Sequence, residues 1–256
     1  PTPNSLMALI ERLHMEQYGT TLEQIGKIAV AQRENALNNQ QALFREPMTI
    51  EDYLNSRMIS DPIRLFDCVM PCSGAECVIL ASEEKAKKIT DKLVYLVTDA
   101  EISHYQVANM KPDKTTFGMK VVGDRIFSEI RHEDIDLVEI YDDYPIAVMI
   151  QIEDLGFCKK GEGGKFVDAH DFTYKGDFPV NTGGGELSVG QAGLAGGFLH
   201  MVEARGHTLD RMRIRGFPFG DELFDFVGNA YDRGARWFGR AIPVPLPRRI
   251  LPIVHA

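Results

Sequence analysis

Seven glycines crowd the segment Asn181–Thr182–Gly183–Gly184–Gly185–Glu186–Leu187–Ser188–Val189–Gly190–Gln191–Ala192–Gly193–Leu194–Ala195–Gly196–Gly197, just before an apolar, helix-like run from Phe198 to Ala204. Glycine tolerates positive φ and close backbone approach, and it weakens any strand or helix that contains it. The segment therefore reads as a loop whose backbone comes close to something. A helix begins where the loop ends, and the partial positive charge of a helix N-terminus stabilises anions, so the expected occupant is a ligand with negative character.

Other reactive residue types are sparse. Cys68, Cys72, Cys77 and Cys158 are too few for a disulfide scaffold in a chain of 256 residues. Their spacing does not repeat the Cys-x2-Cys pattern of a zinc site, so no metal is expected and the thiols read as reduced and buried. His200 lies on the apolar run after the glycines and reads as a core or interface histidine. Asp142 and Asp143 precede Pro145 and are expected to cap the helix that follows. Lys159, Lys160 and Glu162 fit a solvated turn.

The elements that must position these residues alternate. Ser5–Tyr18 is an amphipathic helix stopped by Gly19, and Thr20–Thr21–Leu22–Glu23 opens a second helix to about Asn38. Thr49 caps a short helix from Ile50 to Arg57. Beyond Pro62, strands are expected at Cys77–Ala81, Leu93–Val97, Asp136–Tyr141 and Phe178–Val180. Helices are expected at Glu83–Ile89, Asp124–Ile130 and Pro145–Leu155, with Gly156 past the last one. Such alternation predicts an α/β class with a mixed sheet covered by helices.

Bulk composition narrows the partners. The net charge is −9 and hydrophobic residues make up 44% of the chain. An acidic chain is a poor sequence-independent binder of nucleic acid or anionic lipid. No apolar run reaches the ~18 residues of a membrane span, and the start Pro1–Thr2–Pro3–Asn4 has no signal-peptide core, so a cytoplasmic location is expected. From Arg205 onward there are nine arginines and no lysine.

Six separated phrases, in order, resemble the thiolase superfamily, and within it the sterol-carrier or lipid-transfer type. They are His14–Met15–Glu16–Gln17–Tyr18–Gly19–Thr20–Thr21, Asp61–Pro62–Ile63–Arg64–Leu65–Phe66–Asp67–Cys68, Ser73–Gly74–Ala75–Glu76, Tyr141–Asp142–Asp143–Tyr144, Leu155–Gly156–Phe157–Cys158–Lys159–Lys160–Gly161–Glu162–Gly163–Gly164 and the glycine segment. The resemblance implies one thiolase half with a helical part of the loop domain. Residues 1–66 would be the loop-domain segment, 67–204 the C-terminal-half domain, and 205–256 a divergent Arg/Pro-rich tail. The bias of that tail fits either an extension or a stretch read out of frame. The half that carries the family's nucleophilic cysteine has no counterpart in this sequence.

In the family, an Asn or His after a strand helps form an oxyanion hole, a histidine in a Gly-His-Pro turn serves as base, and a late cysteine is the acid/base. The resemblance places Tyr141 at the first position and Gln191 at the second, within Gly190–Gln191–Ala192. No cysteine follows Cys158. Glutamine cannot take a proton, whereas a histidine near pKa 6.5 can, so ordinary thiolysis is expected to be impaired. Retro-aldol cleavage of a β-hydroxyacyl-CoA needs no cysteine, and a neutral tyrosine suits it as hydrogen-bond donor or proton shuttle. The resemblance thus implies Tyr141 and Gln191 as catalytic residues, with Gly184, Gly185 and Gly190 against the substrate. The resemblance implies a coenzyme A thioester as substrate and no separate cofactor. Thiolysis with a cysteine from outside the chain, or a non-catalytic acyl-CoA-binding subunit, are the alternatives. Thiolase relatives of this type imply an oligomer of thiolase-type subunits and a separate OB-fold, zinc-ribbon acyl-CoA-binding partner.

Overall fold

A computed structural model describes residues 2–90, 93–102, 114–204 and 249–252. Helix α1 (Pro3–Tyr18) starts on the Thr2 cap with Pro3 in its first turn and ends at Gly19, whose φ of 76° is left-handed. Helix α2 (Leu22–Ala36) opens on a capping box in which the Thr21 hydroxyl accepts from the Gln24 amide and the Gln24 side chain accepts from the Thr21 amide. The box is thus centred one residue beyond Thr20. A second capping box, Thr49 with Asp52, opens α3 (Ile50–Leu54). Strands β1 (Met58–Ser60) and β2 (Ile63–Arg64) pair antiparallel.

Helices α4 (Glu83–Lys87) and α5 (Met119–Ile126) precede strand β3 (Ile135–Glu139). Strand β3 pairs in parallel with β4 (Arg249–Pro252), and Val138 bridges to Val180 on the side of the incoming Phe178–Val180 segment. Every residue of α6 (Pro145–Asp154) is buried, as befits a helix apolar on nearly all sides. Helix α2 packs against α3, α6, α7 (Gly163–Ala169) and α8 (Gly185–Val189), so α2 and α6 form the centre. One core joins Ala8, Ile25 and Tyr53 to Ile140, Ile150 and Val180, drawing on both sides of residue 66.

Two expected strands are absent. Cys77–Ala81 and Leu93–Val97 carry strand-like apolar patterns but pair with nothing among the described residues, and Leu80 and Leu96 stand 83% and 69% exposed. A strand needs a neighbour to take its amides and a face to bury, and among the described residues neither run has one. The expected helix at Asp124–Ile130 lies earlier, at Met119–Ile126, because Met119, Val122, Gly123 and Ile126 form its buried face. Most of the tail from residue 205 lies outside the described residues, as does the start at Pro1.

Candidate active site

Strand β3 delivers Tyr141 two residues beyond its end. The strand is extended by Asn181, whose side chain imitates a neighbouring strand: its Oδ1 accepts from the Ile140 amide at 2.7 Å and its Nδ2 donates to the Ile140 carbonyl at 2.8 Å. Asn181 takes a φ of 47°, a conformation that asparagine tolerates. From the other side, Asn35 of α2 donates to the Val180 and Asn181 carbonyls. The Tyr141 carbonyl accepts from Gln151 of α6 at 2.7 Å.

Gln191 is held by its backbone. Its amide donates to the Met70 carbonyl at 2.8 Å, and its carbonyl accepts from the Cys72 amide at 3.0 Å. Its side chain then reaches Tyr141: Gln191 Nε2 donates to Tyr141 Oη at 2.7 Å and also faces Glu186 Oε2 at 3.2 Å. The two residues singled out in the sequence are therefore adjacent. Tyr141 is half-buried. Its burial, followed by the charges of Asp143, Glu186 and Asp142, raises its pKa well above that of a free phenol, against the Gln191 hydrogen bond.

The glycines meet protein. Gly184, at φ 105°, has its amide on the Asn181 carbonyl, and a Cβ there would lie 2.5 Å from the Ala36 Cβ. Gly185 abuts Asp142, and Gly190 abuts Cys72 and Leu43, with its amide on the Glu186 carbonyl. The segment is also not one loop, because α8 forms inside it. The close approach that so many glycines announce is met inside the chain itself.

Behind Tyr141 lies a buried ionic cluster that the sequence did not reveal. Asp142 does not cap α6, as expected; it accepts from the Glu186 and Leu187 amides at 2.8 and 3.1 Å and so caps α8. Spatial proximity of the glycine segment overrides the local order of the chain. Asp143 keeps the local position, accepting from the Tyr144 amide at the N-cap of α6, and burial with the charge of Asp142 pushes it up to about 7. His200, on the helical run 196–204, is 1% exposed; its ring meets Glu139 Oε2 at 2.9 Å and Asp142 Oδ1 at 3.1 Å. Burial opposes its charge, but the two carboxylates prevail and push it up to about 10. Glu139 also accepts from the Thr182 amide at 3.0 Å. Glu186 is fully buried, and burial together with Asp142 pushes it up to about 8. A small opening beside this cluster is lined by Asn39, Gly183, Gly185, Glu139, His200 and Glu203.

The cluster can hold protons near neutrality in several places, while Cys68 and Cys158 do not supply a thiolate easily. Burial pushes Cys68 up to about 11 and Cys158 up to about 12. Tyr141 offers a neutral, half-buried hydroxyl beside the acidic groups Asp142, Asp143 and Glu186, and a hydrogen bond made in such a partly desolvated place is stronger than in water.

Known proteins share this arrangement of elements. The family model described as "Thiolase C-terminal domain-like" matches residues 100–211. The chain is 37% identical over 208 residues to an acetyl-CoA acetyltransferase of Methanothermobacter thermautotrophicus, across 80% of this chain and 50% of that protein. It is 32% identical over 208 residues to the 17-hydroxy-3-oxo-4-pregnene-20-carboxyl-CoA lyase of Mycobacterium tuberculosis, across 77% of this chain and 54% of that protein. The solved structure of the "Ltp2-ChsH2(DUF35) aldolase" matches with a TM-score of 0.68 and 28% identity, covering 79% of this chain and 55% of that one. The chain spans about half the length of the curated relatives it matches. Expected from six phrases and now matched in sequence and in three dimensions, the chain carries the α/β fold of a thiolase-like C-terminal domain.

Proposed function

We propose that this chain is part of an enzyme that cleaves a carbon–carbon bond of a β-hydroxyacyl-CoA by retro-aldol chemistry, on a substrate with a steroid or lipid side chain. One observation carries the reading: Gln191 Nε2 donates to Tyr141 Oη at 2.7 Å. The phenol oxygen thus receives a hydrogen bond from Gln191 and does not spend its proton on that amide. In the reaction, a base takes the β-hydroxyl proton, the Cα–Cβ bond breaks, and its electron pair moves into the thioester as an enolate. The β-carbon leaves as a ketone or aldehyde, and the enolate carbon takes a proton to give the shortened acyl-CoA. Tyr141 donates to the enolate oxygen, its raised pKa keeping it protonated throughout the physiological range. Asp143, at about 7, has the basicity for the hydroxyl proton. Gln191 orients Tyr141 rather than acting as a base. Because the Gly184 and Gly190 amides are already engaged, these two glycines shape the wall of the site rather than donating to the thioester, and Gly185 stands between them against Asp142.

The names of the similar lyase and aldolase support this reading. The aldolase is named for two components, Ltp2 and ChsH2(DUF35), which supports a hetero-oligomer here; the partner we propose is a separate acyl-CoA-binding protein with an OB-fold and a zinc ribbon. The 37% identity to an acetyl-CoA acetyltransferase favours a second reading, acyl transfer with a nucleophilic cysteine from outside this chain. Tyr141→Phe in the assembled enzyme is expected to slow cleavage by about 10²-fold or more. Unchanged turnover removes Tyr141 from the mechanism. A strict requirement for free CoA as co-substrate replaces aldol cleavage with thiolysis. Native mass spectrometry with and without acyl-CoA reads the partner chains directly.

A further inference from the structure

Glu186 is a carboxylate that the reaction above does not use, yet it touches the residue that orients Tyr141. It is fully buried on α8, and its Oε2 faces the same Gln191 nitrogen that donates to Tyr141. Its other oxygen, Oε1, has no hydrogen-bond partner among the described residues. The carboxyl fits only because position 196 is glycine: a Cβ there would lie 1.2 Å from Oε1. Both hydrogens of the Gln191 amide nitrogen are thus assigned, one to Tyr141 and one to Glu186.

We propose that Glu186 is a positioning residue whose protonation decides which end of the Gln191 amide faces Tyr141, and so whether the tyrosine proton is available to substrate. The proposal rests on the proton-donor reading of Tyr141. An ionised Glu186 only accepts hydrogen bonds, so it holds the amide nitrogen toward itself and toward Tyr141. Tyr141 then accepts from Gln191, and its O–H is not drawn to that amide. A protonated Glu186 is a donor. Turned over about its last side-chain bond, the amide presents an oxygen with two lone pairs, which accepts from Glu186 and from Tyr141 together. The tyrosine proton is then directed inward and withheld.

The groups that face Glu186 set the balance. Asp142 and Asp143, from the loop after β3, favour the acid, as burial does. His200, from the 196–204 helix, and the Gln191 side chain favour the carboxylate. The result places the transition at about 8, within reach of ordinary buffers.

The test follows the side-chain amide resonance of Gln191 in the 15N-labelled full chain from about pH 6 to 10, beside Glu186→Gln, which keeps the shape and cannot titrate. The wild-type resonance is expected to move between two positions with a midpoint near 8, and to stay fixed in Glu186→Gln. In the assembled enzyme, kcat for cleavage is expected to rise about twentyfold between about pH 7 and 9, with KM unmoved, and Glu186→Gln is expected to keep only the about twofold part that the base Asp143 contributes. A wild-type resonance indifferent to pH overturns the proposal, as does one that titrates equally in the variant. If Tyr141→Phe leaves the rate unchanged, the donor reading fails on its own, and the resonance still decides what Glu186 does to Gln191.

Discussion

His200 holds together the charges on which the site is built. Its two nitrogens meet two buried carboxylates, Glu139 and Asp142, and Asp142 in turn caps α8. Removing one partner of a buried ionic network strands the others, which costs about 3–5 kcal/mol. His200→Leu is therefore expected to lower unfolding stability by that amount near neutral pH, read from urea denaturation; a loss under about 1 kcal/mol would show that the triad contributes little. The pH dependence has a definite sign. The folded pKa of about 10 lies above the ordinary value of 6.5, so the stabilisation is complete below about pH 6.5 and disappears as pH rises through 10. The sequence carried half of this. A histidine on an apolar helix was legible as a core residue, but its partners lie 58 and 61 positions away, and nothing local marks them. Tyr141 and Gln191 were legible only through the family resemblance, since their own spacing of 50 residues has no periodicity that would bring them together.

Elements with local signals were easier to read than elements that depend on partners. The Thr49 cap, the Gly19 stop and the Pro145 start each use a few neighbouring residues and each was visible in the sequence, while the cap of α2 was visible but read one residue early. The two apolar runs at Cys77–Ala81 and Leu93–Val97 had the composition of strands but not the neighbours, and composition alone does not make a ladder. Helix α8 was hidden for the opposite reason. Five residues flanked by glycines have poor helix propensity, and the helix persists because Asp142 takes two of its first amides. This dependence gives a test at the same scale. Gly185 sits at φ 58°, and a Cβ on it would meet Asp142 Oδ2 at 2.1 Å. Gly185→Ala is expected to push Asp142 off its cap and to cost about 1–3 kcal/mol through strain and the lost cap together. Thr21→Ala, which removes a cap on a long and well-packed helix, is expected to cost about 1 kcal/mol. If Gly185→Ala costs less than Thr21→Ala in thermal unfolding, α8 does not depend on Asp142.

For the molecule as a whole, buried acids outweigh the buried histidine in setting how stability responds to pH. Glu11 of α1 is fully buried where that helix packs on β1 and β2, and neither of its oxygens has a hydrogen-bond partner among the described residues. Burial, followed by the neighbouring charge of Asp67, pushes it up to about 9, although Arg12 and Arg64 pull the other way. Asp67 accepts from the Tyr53 hydroxyl at 2.6 Å, and burial raises it to about 6. Glu186 adds a third acid, at about 8. Each of these folded values lies above the ordinary carboxyl value, so between the two the folded chain retains a proton that the unfolded chain has released. The unfolded state then binds fewer protons, and stability falls as pH rises, by about 1.4 kcal/mol per pH unit for each such proton. The fall begins near the ordinary value of 4.5 and for Glu11 continues to about 9. The melting temperature is therefore expected to drop steadily from about pH 5 to 9, against the usual preference for neutral conditions. Glu11→Gln removes one of the protons at issue while keeping the shape, so it is expected to flatten that slope and to leave the protein more stable than wild type at about pH 8. A wild-type melting temperature that rises across the same range would mean that these carboxyls are ionised in the folded chain, and that paired charge rather than buried acid holds α1 to the rest of the fold.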